Sequence, residues 1–208
     1  MGDVAVAVGN PLGLNGGPSV TSGVVSALDR TLPTNGLSGA GQLYGLLQTD
    51  APITRGSSGG ALLNDRGELI GITTAIGVSD VGAEGLGFAV PSHLVERIAS
   101  DLISDGNVRH AFLGISGRPA FAQRSDGASV PVGAEISELL TDSAIGAAGA
   151  QVGDVIVAVD GERVNSLILL VARLRTLRAG DEVIVTVSRD GAEMDLTLVL
   201  DLHPESST

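Results

Sequence analysis

The sequence predicts a mainly β protein with two domains, a six-stranded antiparallel barrel followed by a smaller β-barrel or sandwich with two helices. Residues 4–90 contain six short apolar segments separated by Gly, Pro, Asn and Ser, without helical periodicity. After Pro91 the apolar residues change to helical spacing. Near the end, two alternating strands surround Asp190 and Gly191, and Asp-Gly between such strands is a strong hairpin signal.

The apolar segments of the first domain, residues 1–92, predict the strands of a closed antiparallel barrel. In chain order the segments read "VAVAV", "SVTSGVVSAL", "YGLLQTDA", "GALL", "ELIGITTAI" and "GLGFAV". The "NDRG" stretch at residues 64–67 predicts a tight hairpin between the fourth and fifth segments.

A connecting helix and linker are predicted over residues 93–110. The apolar residues there recur at helical spacing, Ser92 precedes them as a possible N-cap, and Gly106 follows them. The second domain is predicted over residues 111–202. Its predicted elements are a strand "FLGI", a polar loop around 117–129, a strand "GAEISELL", a helical piece at 143–149, a strand "GDVIVAVDGERV", a helix beginning near Ser166 and the final hairpin. Residues 203–208 are predicted to be a disordered tail.

The composition limits the classes of partner. Twelve Lys and Arg residues against 24 Asp and Glu residues give a formal charge of −12, which disfavours binding to nucleic acid or anionic lipid. No cysteine is present, so disulfides and thiolate metal sites are excluded, while the compartment stays open. No segment approaches the roughly 18 consecutive apolar residues of a membrane span. Neither a metal nor an organic cofactor is expected.

The stretch from Thr54 to Leu63, "TRGSSGGALL", is the candidate catalytic loop. Alone, such a run is a flexible turn more often than a catalytic site. Here it leads directly into an apolar strand, which would hold Ser58 on a tight turn. Flanking glycines permit the backbone angles that aim several amides in one direction, as an oxyanion hole requires. The candidate donors are the amides of Gly56 and Ser58.

The first domain resembles the second barrel of the HtrA/Deg family of trypsin-like serine proteases. The matching stretches are "AVGNPLGL", "VTSGVVSAL", "QTDAPITRGSSGGALLNDRGELIGITTAI" and "GLGFAVPS", which cover nearly all of residues 2–100 in order and spacing. The resemblance implies that Ser58 is the nucleophile. Ser57 departs from the family, which usually has Asn there, and so does Thr54. Both replacements are small and polar, so adjusted loop hydrogen bonds are expected rather than lost chemistry.

The resemblance also implies substrate-binding positions. It places Ile53, Ile76 and Leu86 in the primary specificity pocket, and these aliphatic side chains predict cleavage after small aliphatic residues. Hydrophobicity alone is equally consistent with ordinary barrel core at these positions. Thr73, Thr74 and Ala75 are implied to pair with the substrate backbone as an added strand.

The general base is the feature that the sequence does not supply. In the resembled family the catalytic His and Asp belong to a first barrel that precedes the matching stretches. The three histidines, His93, His110 and His203, do not lie in the family's setting for a base. The expectation is a chain that carries the nucleophile barrel without the barrel of His and Asp, and that is inactive alone.

The second domain resembles the PDZ domain that follows the protease in this family. The motifs are "FLGI" at 112–115, "VGDVIVAVDGERV" at 152–164 and "RAGDEVIVTVSRDG" at 178–191. The resemblance implies that the amides of Leu113, Gly114 and Ile115 hold a peptide C-terminal carboxylate, with the helix at 167–177 as the opposite wall. "FLGI" alone would be read as another edge strand. Asp154 and Asp160 are predicted to stabilise turns rather than to form a catalytic pair.

Two functions remain open from the sequence. The first is an HtrA-type serine endopeptidase of protein quality control and stress response, acting on unfolded polypeptides, with peptide C-termini binding at the PDZ domain. The second is a non-catalytic PDZ peptide-binding protein. By resemblance the protein is expected in the cell envelope, on the periplasmic or extracytoplasmic side of the membrane, as a possible homo-oligomer in its full-length form.

Overall fold

The computed structural model describes residues 1–11, 17–33, 42–54, 56–74 and 86–203. The chain divides into two compact units, Met1–Ile103 and Ser104–Thr208. The division falls inside the segment that the sequence predicted as helix and linker, residues 93–110.

The first unit is a closed antiparallel barrel. Its strands are β1 (Val4–Gly9), β2 (Ser19–Pro33), β3 (Gln42–Thr49), β4 (Ala61–Leu63), β5 (Leu69–Thr74) and β6 (Gly87–Pro91). They pair in the order β1-β2-β3-β6-β5-β4, and β4 pairs with β1 to close the barrel. The prediction of a six-stranded closed antiparallel barrel is therefore confirmed. Helix α1 (Ser92–Asp105) follows β6 directly and ends at Gly106, whose φ of 69° is the left-handed conformation favoured after a helix.

The barrel has a small, alanine-rich core among the described residues. Its buried members are Ala5, Ala7, Val25, Ala51, Leu62 and Ala89. Leu47, Ile53 and Ile70 pack against this cluster while partly buried. Small side chains facing inward suit a narrow barrel, because little interior volume remains to be filled. The loops at the strand ends are therefore held as much by hydrogen bonds as by apolar burial.

The second unit is a sheet with two short helices. Its elements are β7 (Ala111–Phe112), β8 (Ile115–Gln123), β9 (Ser129–Leu139), α2 (Ala144–Ala147), β10 (Val155–Val159), β11 (Glu162–Arg163), α3 (Leu167–Leu174), β12 (Glu182–Arg189), β13 (Ala192–Val199) and β14 (Asp201–Leu202). The main sheet runs β13-β12-β10-β9-β8, with β11 paired to β10. A separate pair joins β14 to β7.

Local signals in the second unit act as the sequence predicted. The Ser166 hydroxyl caps α3 by accepting a hydrogen bond of 3.1 Å from the Leu169 amide. Asp190 and Gly191 both have positive φ, 51° and 83°, and join β12 to β13 in the primed hairpin turn typical of Asp-Gly. The core beneath is formed by larger aliphatic side chains, among them Ile136, Ile156 and Leu170.

Three expectations for the second unit were wrong. The segment "FLGI" is not one strand, because β7 ends at Phe112 and β8 begins at Ile115, with Gly114 in the left-handed conformation between them. Most of the polar loop expected around 117–129 is strand, because β8 continues to Gln123 and only residues 124–128 connect it to β9. Its polar and Pro residues suggested a loop because one side of this edge strand faces water. His203, assigned to the disordered tail, is instead packed: its amide donates to the His110 carbonyl at 2.9 Å, and its ring meets Phe112 edge-on. Residues 204–208 lie outside the described residues.

Within the described ranges no helix has the length and apolar character needed to cross a membrane. No group of three or more His, Cys, Asp or Glu side chains among the same residues is arranged to hold a metal ion.

Candidate active site and peptide-binding site

The serine loop connects the end of β3 to β4 and is anchored on β5 through Thr73. The Thr73 amide donates to the Gly60 carbonyl at 2.8 Å, and its carbonyl accepts from the Gly59 amide at 2.8 Å. The Thr73 side chain is buried, and its hydroxyl donates to the Ser57 carbonyl at 2.5 Å. One residue of a rigid strand therefore holds the loop on both sides of Ser58.

Close backbone packing adds to this anchoring. A Cβ on Gly60 would overlap the Val8 carbonyl oxygen of β1, so only glycine fits there. A Cβ on Gly9 would lie 3.2 Å from both the Cα and the Cβ of Ser57. The end of β1 therefore presses against the serine loop. Ser57 is buried while Ser58 is exposed, so the candidate nucleophile faces solvent from a packed support.

Three amides of the serine loop have described hydrogen-bond partners. Those of Ser57, Gly59 and Gly60 donate inside the unit, to the carbonyls of Thr54, Thr73 and Ser57. The oxyanion-hole prediction concerns the amides of Gly56 and Ser58 and stays a prediction. Gly56 and Gly59 have φ values of 97° and 86°, a conformation that side chains disfavour. Glycine adopts this left-handed conformation without strain, so the loop can turn sharply at both positions.

The segment before the loop is held by contacts that the sequence analysis missed. The Asp50 carboxylate accepts a hydrogen bond of 2.6 Å from the Val24 amide, and a Cβ on Gly23 would overlap it. The Thr21 hydroxyl donates to the Pro52 carbonyl at 2.8 Å. The available signal was an acidic residue immediately after an apolar strand without a basic neighbour, a pattern typical of a carboxylate that accepts from backbone amides.

The predicted specificity pocket is described only in part. Ile53 is half-buried against the barrel core, and a Cβ on Gly87 would lie 2.7 Å from the Ile53 Cδ1 atom. Leu86, directly before Gly87, is 40% exposed. Ile53 and Leu86 are thus brought to the start of β6. Ala75 and Ile76 lie outside the described residues.

Each predicted backbone partner on β5 is already engaged. The amide and the carbonyl of Thr73 face the serine loop, as given above. Thr74, the next residue, pairs with Phe88 of β6. A second lone pair on the Thr73 carbonyl remains able to accept, because a carbonyl oxygen has two.

The three histidines belong to elements other than the serine loop. His93 is exposed on the first turn of α1, beyond the end of β6 that pairs with Gly71. His110 and His203 belong to the second unit, where their backbones bond to each other. His110 also forms a β-bridge with Arg178.

The predicted carboxylate-binding residues lie between β7 and β8. Leu113 is 1% exposed, and Ile115 begins β8, the edge strand of the sheet. Gly114 has a φ of 72°, and a Cβ there would overlap the side chain of Ser143. Its carbonyl accepts from the Leu140 amide at 2.9 Å. The turn is therefore shaped by glycine and tied to the end of β9.

Helix α3 forms the opposite wall of a groove along β8. A Cβ on Gly117 would lie 3.0 Å from the Leu167 Cδ1 atom, so glycine lets the first turn of α3 approach the strand. Ser166 also bridges to Gly133 of β9. A strand edge beside a helix, with a glycine turn at one end, is the geometry by which a peptide C-terminus adds to a sheet.

Asp154 and Asp160 stabilise turns, as predicted. Asp154 is 2% exposed and accepts a hydrogen bond of 2.8 Å from the Gln151 amide. The Arg189 guanidinium donates to both its oxygens at 2.7 Å. This pairing lowers the pKa of the Asp154 carboxyl, with the Gln151 amide contributing and burial opposing. Asp160 has a φ of 51° and accepts from the Ile184 amide at 3.0 Å.

Comparison with known families matches both units. Residues 1–72 match the trypsin-like peptidase domain, and residues 112–200 match the PDZ domain. The chain is 43% identical over 209 residues to the periplasmic pH-dependent serine endoprotease DegQ of Escherichia coli (strain K12), covering 100% of this chain and 44% of DegQ. It is 41% identical over 202 residues to the periplasmic serine endoprotease DegP of the same organism, covering 96% of this chain and 41% of DegP.

Solved structures give the same result. The HtrA-type protease AlgW, determined with a decapeptide, superimposes with a TM-score of 0.64 at 32% identity, covering 98% of this chain and 61% of AlgW. The chain spans less than half the length of DegQ and DegP. It belongs to the HtrA/Deg family of trypsin-like serine proteases, of which it carries the serine-bearing barrel and a PDZ domain.

Proposed function

We propose that the chain is the nucleophile-bearing and peptide-binding part of a serine endopeptidase. The observation that carries this proposal is the position of Ser58, exposed on a loop whose neighbours on both sides are bonded to the buried Thr73. A loop fixed in this way needs no rearrangement when a substrate carbonyl arrives, which is the requirement for electrostatic catalysis by backbone amides.

The proposed chemistry is acyl transfer. The Ser58 Oγ attacks the carbonyl carbon of the scissile peptide bond as its proton passes to a base. The carbonyl oxygen becomes an oxyanion, which accepts hydrogen bonds from the amides of Gly56 and Ser58. The amine leaves with a proton from the protonated base, and water then hydrolyses the acyl-enzyme. Thr73 keeps the donor geometry constant through these steps.

The base is proposed to come from outside the described residues. His110 and His203 take part in the packing of the PDZ unit, and His93 lies on α1 beyond the end of β6. A general base must lie within hydrogen-bond reach of the proton that it removes. These positions support a serine whose activation depends on further polypeptide.

Unfolded polypeptides are the proposed substrates. An extended chain would lie beside Thr73 to Ala75, bonding to the second lone pair of the Thr73 carbonyl because the Thr73 amide already donates to Gly60. Ile53, Ile76 and Leu86 would select a small aliphatic residue. Gly87 supports this reading, because its missing side chain lets Ile53 lie against the start of β6, next to Leu86. A free C-terminus would bind between β8 and α3, with Leu113, Gly114 and Ile115 contacting the carboxylate. AlgW, whose structures contain a decapeptide or a tripeptide, is consistent with peptide recognition.

The proposed setting is the cell envelope, on the periplasmic or extracytoplasmic side. Two relatives, DegQ and DegP, are named as periplasmic. There the protein would degrade misfolded chains as part of quality control and stress response, as a possible homo-oligomer. It is proposed to need no metal and no organic cofactor.

A serine-directed fluorophosphonate probe tests the catalytic proposal. Applied to the protein purified from its native source, the probe is expected to label one peptide, with mass spectrometry placing the adduct on Ser58. The matched control is Ser100→Ala, at an exposed serine of α1 in the same unit. Labelling elsewhere, or labelling that persists in Ser58→Ala, would refute the assignment.

Peptide binding without catalysis is the second candidate function. It is favoured by the extensive aliphatic core of the PDZ unit and by the presence of its edge strand, glycine turn and facing helix among the described residues. Native protein that binds C-terminal peptides yet never reacts with the probe would support it.

A further inference from the structure

Strand β8 is the free edge on which a peptide would be added. In the main sheet β8 pairs with β9 alone, and its other edge faces α3. A strand offers its amides and carbonyls alternately to its two sides, so every second residue of β8 is directed to the groove. Which residues these are determines what a peptide can bond to.

The register of β8 identifies the outward residues. The Gly114 carbonyl accepts from Leu140, and the Ser116 carbonyl accepts from the Ser137 hydroxyl, so both face β9. The two irregularities in the pairing, between Ser116 and Gly117 and between Ala120 and Phe121, each skip a residue of β9, so β8 itself keeps its alternation. The backbones of residues 115, 117, 119 and 121 therefore face the groove.

The third of these outward positions is a proline. Pro119 is exposed within β8 and pairs with Ala134 of β9. Proline has no amide hydrogen, so it is tolerated in a sheet only where that hydrogen would have faced away from the neighbouring strand. Its presence agrees with the register and also removes one donor from the groove edge.

We propose that Pro119 interrupts the peptide-binding ladder of β8 by removing its third outward donor, so that the groove gains little from peptide residues upstream of about the last four. This inference rests on the proposed peptide binding of the PDZ unit. In an antiparallel pair each outward residue exchanges its two hydrogen bonds with the one peptide residue opposite, and the next peptide residue is skipped. With the terminal residue opposite Ile115, Gly117 therefore supplies the last amide before Pro119. The carbonyl of about the fifth peptide residue meets Pro119 and finds no donor. Upstream residues then stay in water.

The selected ligand is therefore a short free end rather than a long extended strand. A chain bound in this way leaves its upstream part free of the PDZ edge. The same proline keeps the exposed edge of β8 from pairing along its whole length with other strands, since edge prolines block strand addition.

A peptide length series tests the proposal. The probes end in the common sequence Ser-Ala-Tyr-Val with a free carboxylate and are lengthened with serines from four to eight residues. Serine extensions add backbone hydrogen-bonding groups with little apolar surface. Any gain in affinity then reports on backbone hydrogen bonds rather than on apolar contact with Phe121, which is 60% exposed at the next outward position. Affinity of the wild-type chain is expected to change less than about twofold beyond four or five residues.

Pro119→Ala should restore the missing donor. The eight-residue peptide is then expected to bind about three- to tenfold more tightly than the four-residue peptide, because one additional net hydrogen bond changes affinity by about this factor. Pro131→Ala is the matched control, because Pro131 lies opposite Phe121 on β9 and away from the groove edge. As in the wild-type chain, the affinity of Pro131→Ala should stop rising beyond about four or five peptide residues.

The outcomes separate the two proposals. A wild-type affinity that keeps rising severalfold from four to eight residues would overturn the role of Pro119 and leave peptide binding intact. The same conclusion would follow if Pro119→Ala, with an unchanged hydrogen-exchange pattern, kept the plateau. Equal binding of peptides with free and amidated C-termini, or no binding, would overturn the proposed peptide binding and this inference with it.

Discussion

The serine loop and the turn at Leu113–Ile115 are both glycine-shaped segments for which we propose the binding of a negatively charged group, but their supports differ. The serine loop is fixed by hydrogen bonds to Thr73 above an alanine-rich core. The PDZ turn lies on a core of larger aliphatic side chains and is fixed by one backbone bond and by contact with Ser143. A loop that stabilises a transient oxyanion needs several fixed donors, whereas a turn that binds a stable carboxylate tolerates fewer constraints.

The two cores differ in what they contribute to stability. The main buried cluster of the barrel has four alanines in six described positions, while Leu46 and Phe88 are buried outside it. The PDZ core includes Ile136, Ile145, Ile156 and Leu170, each at most 1% exposed. Burial of a large aliphatic side chain contributes about 1.5–3 kcal/mol, and alanine much less. The barrel therefore depends more strongly on its polar contacts and on its few large side chains.

The largest expected effect separates the two sites by function. Ser58→Ala in the native protein should lower kcat for a peptide substrate by about 10⁶, because loss of a nucleophile leaves only binding and oxyanion stabilisation. Affinity for a C-terminal peptide should be unchanged. Steady-state kinetics measure kcat, and fluorescence anisotropy measures the affinity for the C-terminal peptide. Ser100→Ala, the matched control, should change neither, and a parallel loss of peptide affinity in Ser58→Ala would contradict the separation.

Matched core truncations compare the stabilities of the two units. Leu62→Ala and Leu170→Ala remove the same atoms from positions 0% and 1% exposed, so each should cost about 3 kcal/mol. The barrel should lose its exchange protection, while the PDZ unit should stay folded. Hydrogen exchange with mass spectrometry reports on each unit separately. Equal residual protection of the two units would show that core size does not distinguish them.

The pH dependence of stability tests how the Asp154 carboxylate stabilises the PDZ unit. Asp154→Asn removes the charge that pairs with Arg189 and should lower the free energy of unfolding at pH 7 by about 2–3 kcal/mol. Because the folded pKa of Asp154 is lowered, the wild-type advantage is complete above the unfolded pKa of about 3.9 and is lost as pH falls through the folded pKa. Urea denaturation from roughly pH 2 to pH 7 measures the difference in free energy of unfolding between wild type and Asp154→Asn, because this range spans the titration of a carboxyl group. Asp195→Asn, at an exposed residue, is the control. A pH-independent difference would contradict the pairing.

The smallest effect concerns the anchor of the serine loop. Thr73→Val keeps the shape of the side chain but removes the hydroxyl that donates to Ser57, which should cost about 1–2 kcal/mol of stability. The native protein should also lose about ten- to a hundredfold in kcat, because the oxyanion donors are displaced. Thr197→Val, at an exposed position of the PDZ unit, should leave both unchanged. Full activity in Thr73→Val would show that the anchor is not needed for catalysis.

Much of the fold could be predicted because local signals agreed with it. The six barrel strands, the "NDRG" turn, the Ser166 cap and the Asp190-Gly191 hairpin each arise from a few neighbouring residues. β8 was partly missed because an edge strand with polar residues and Pro119 lacks the apolar alternation of a strand covered on one face.

The sequence identifies the candidate catalytic residues but not the contacts that hold them in place. Ser58 and its glycines are visible in the sequence, whereas the packing of Gly9 against Ser57 and the bond from Asp50 to Val24 join residues far apart along the chain. Such contacts depend on which strands become neighbours, and no local pattern specifies that. The same limit hides the role of the Thr73 hydroxyl.

The most direct measurement is fluorophosphonate labelling of Ser58 in the 208-residue chain expressed alone, beside the native protein. The loop is held in place, but His110 and His203 pack within the second unit and His93 is exposed on α1, so the chain alone should label no faster than Ser58→Ala while the native protein labels readily. Labelling of the isolated chain at the rate of the native protein, lost in Ser58→Ala, would contradict the claim that the nucleophile depends on a base supplied by further polypeptide.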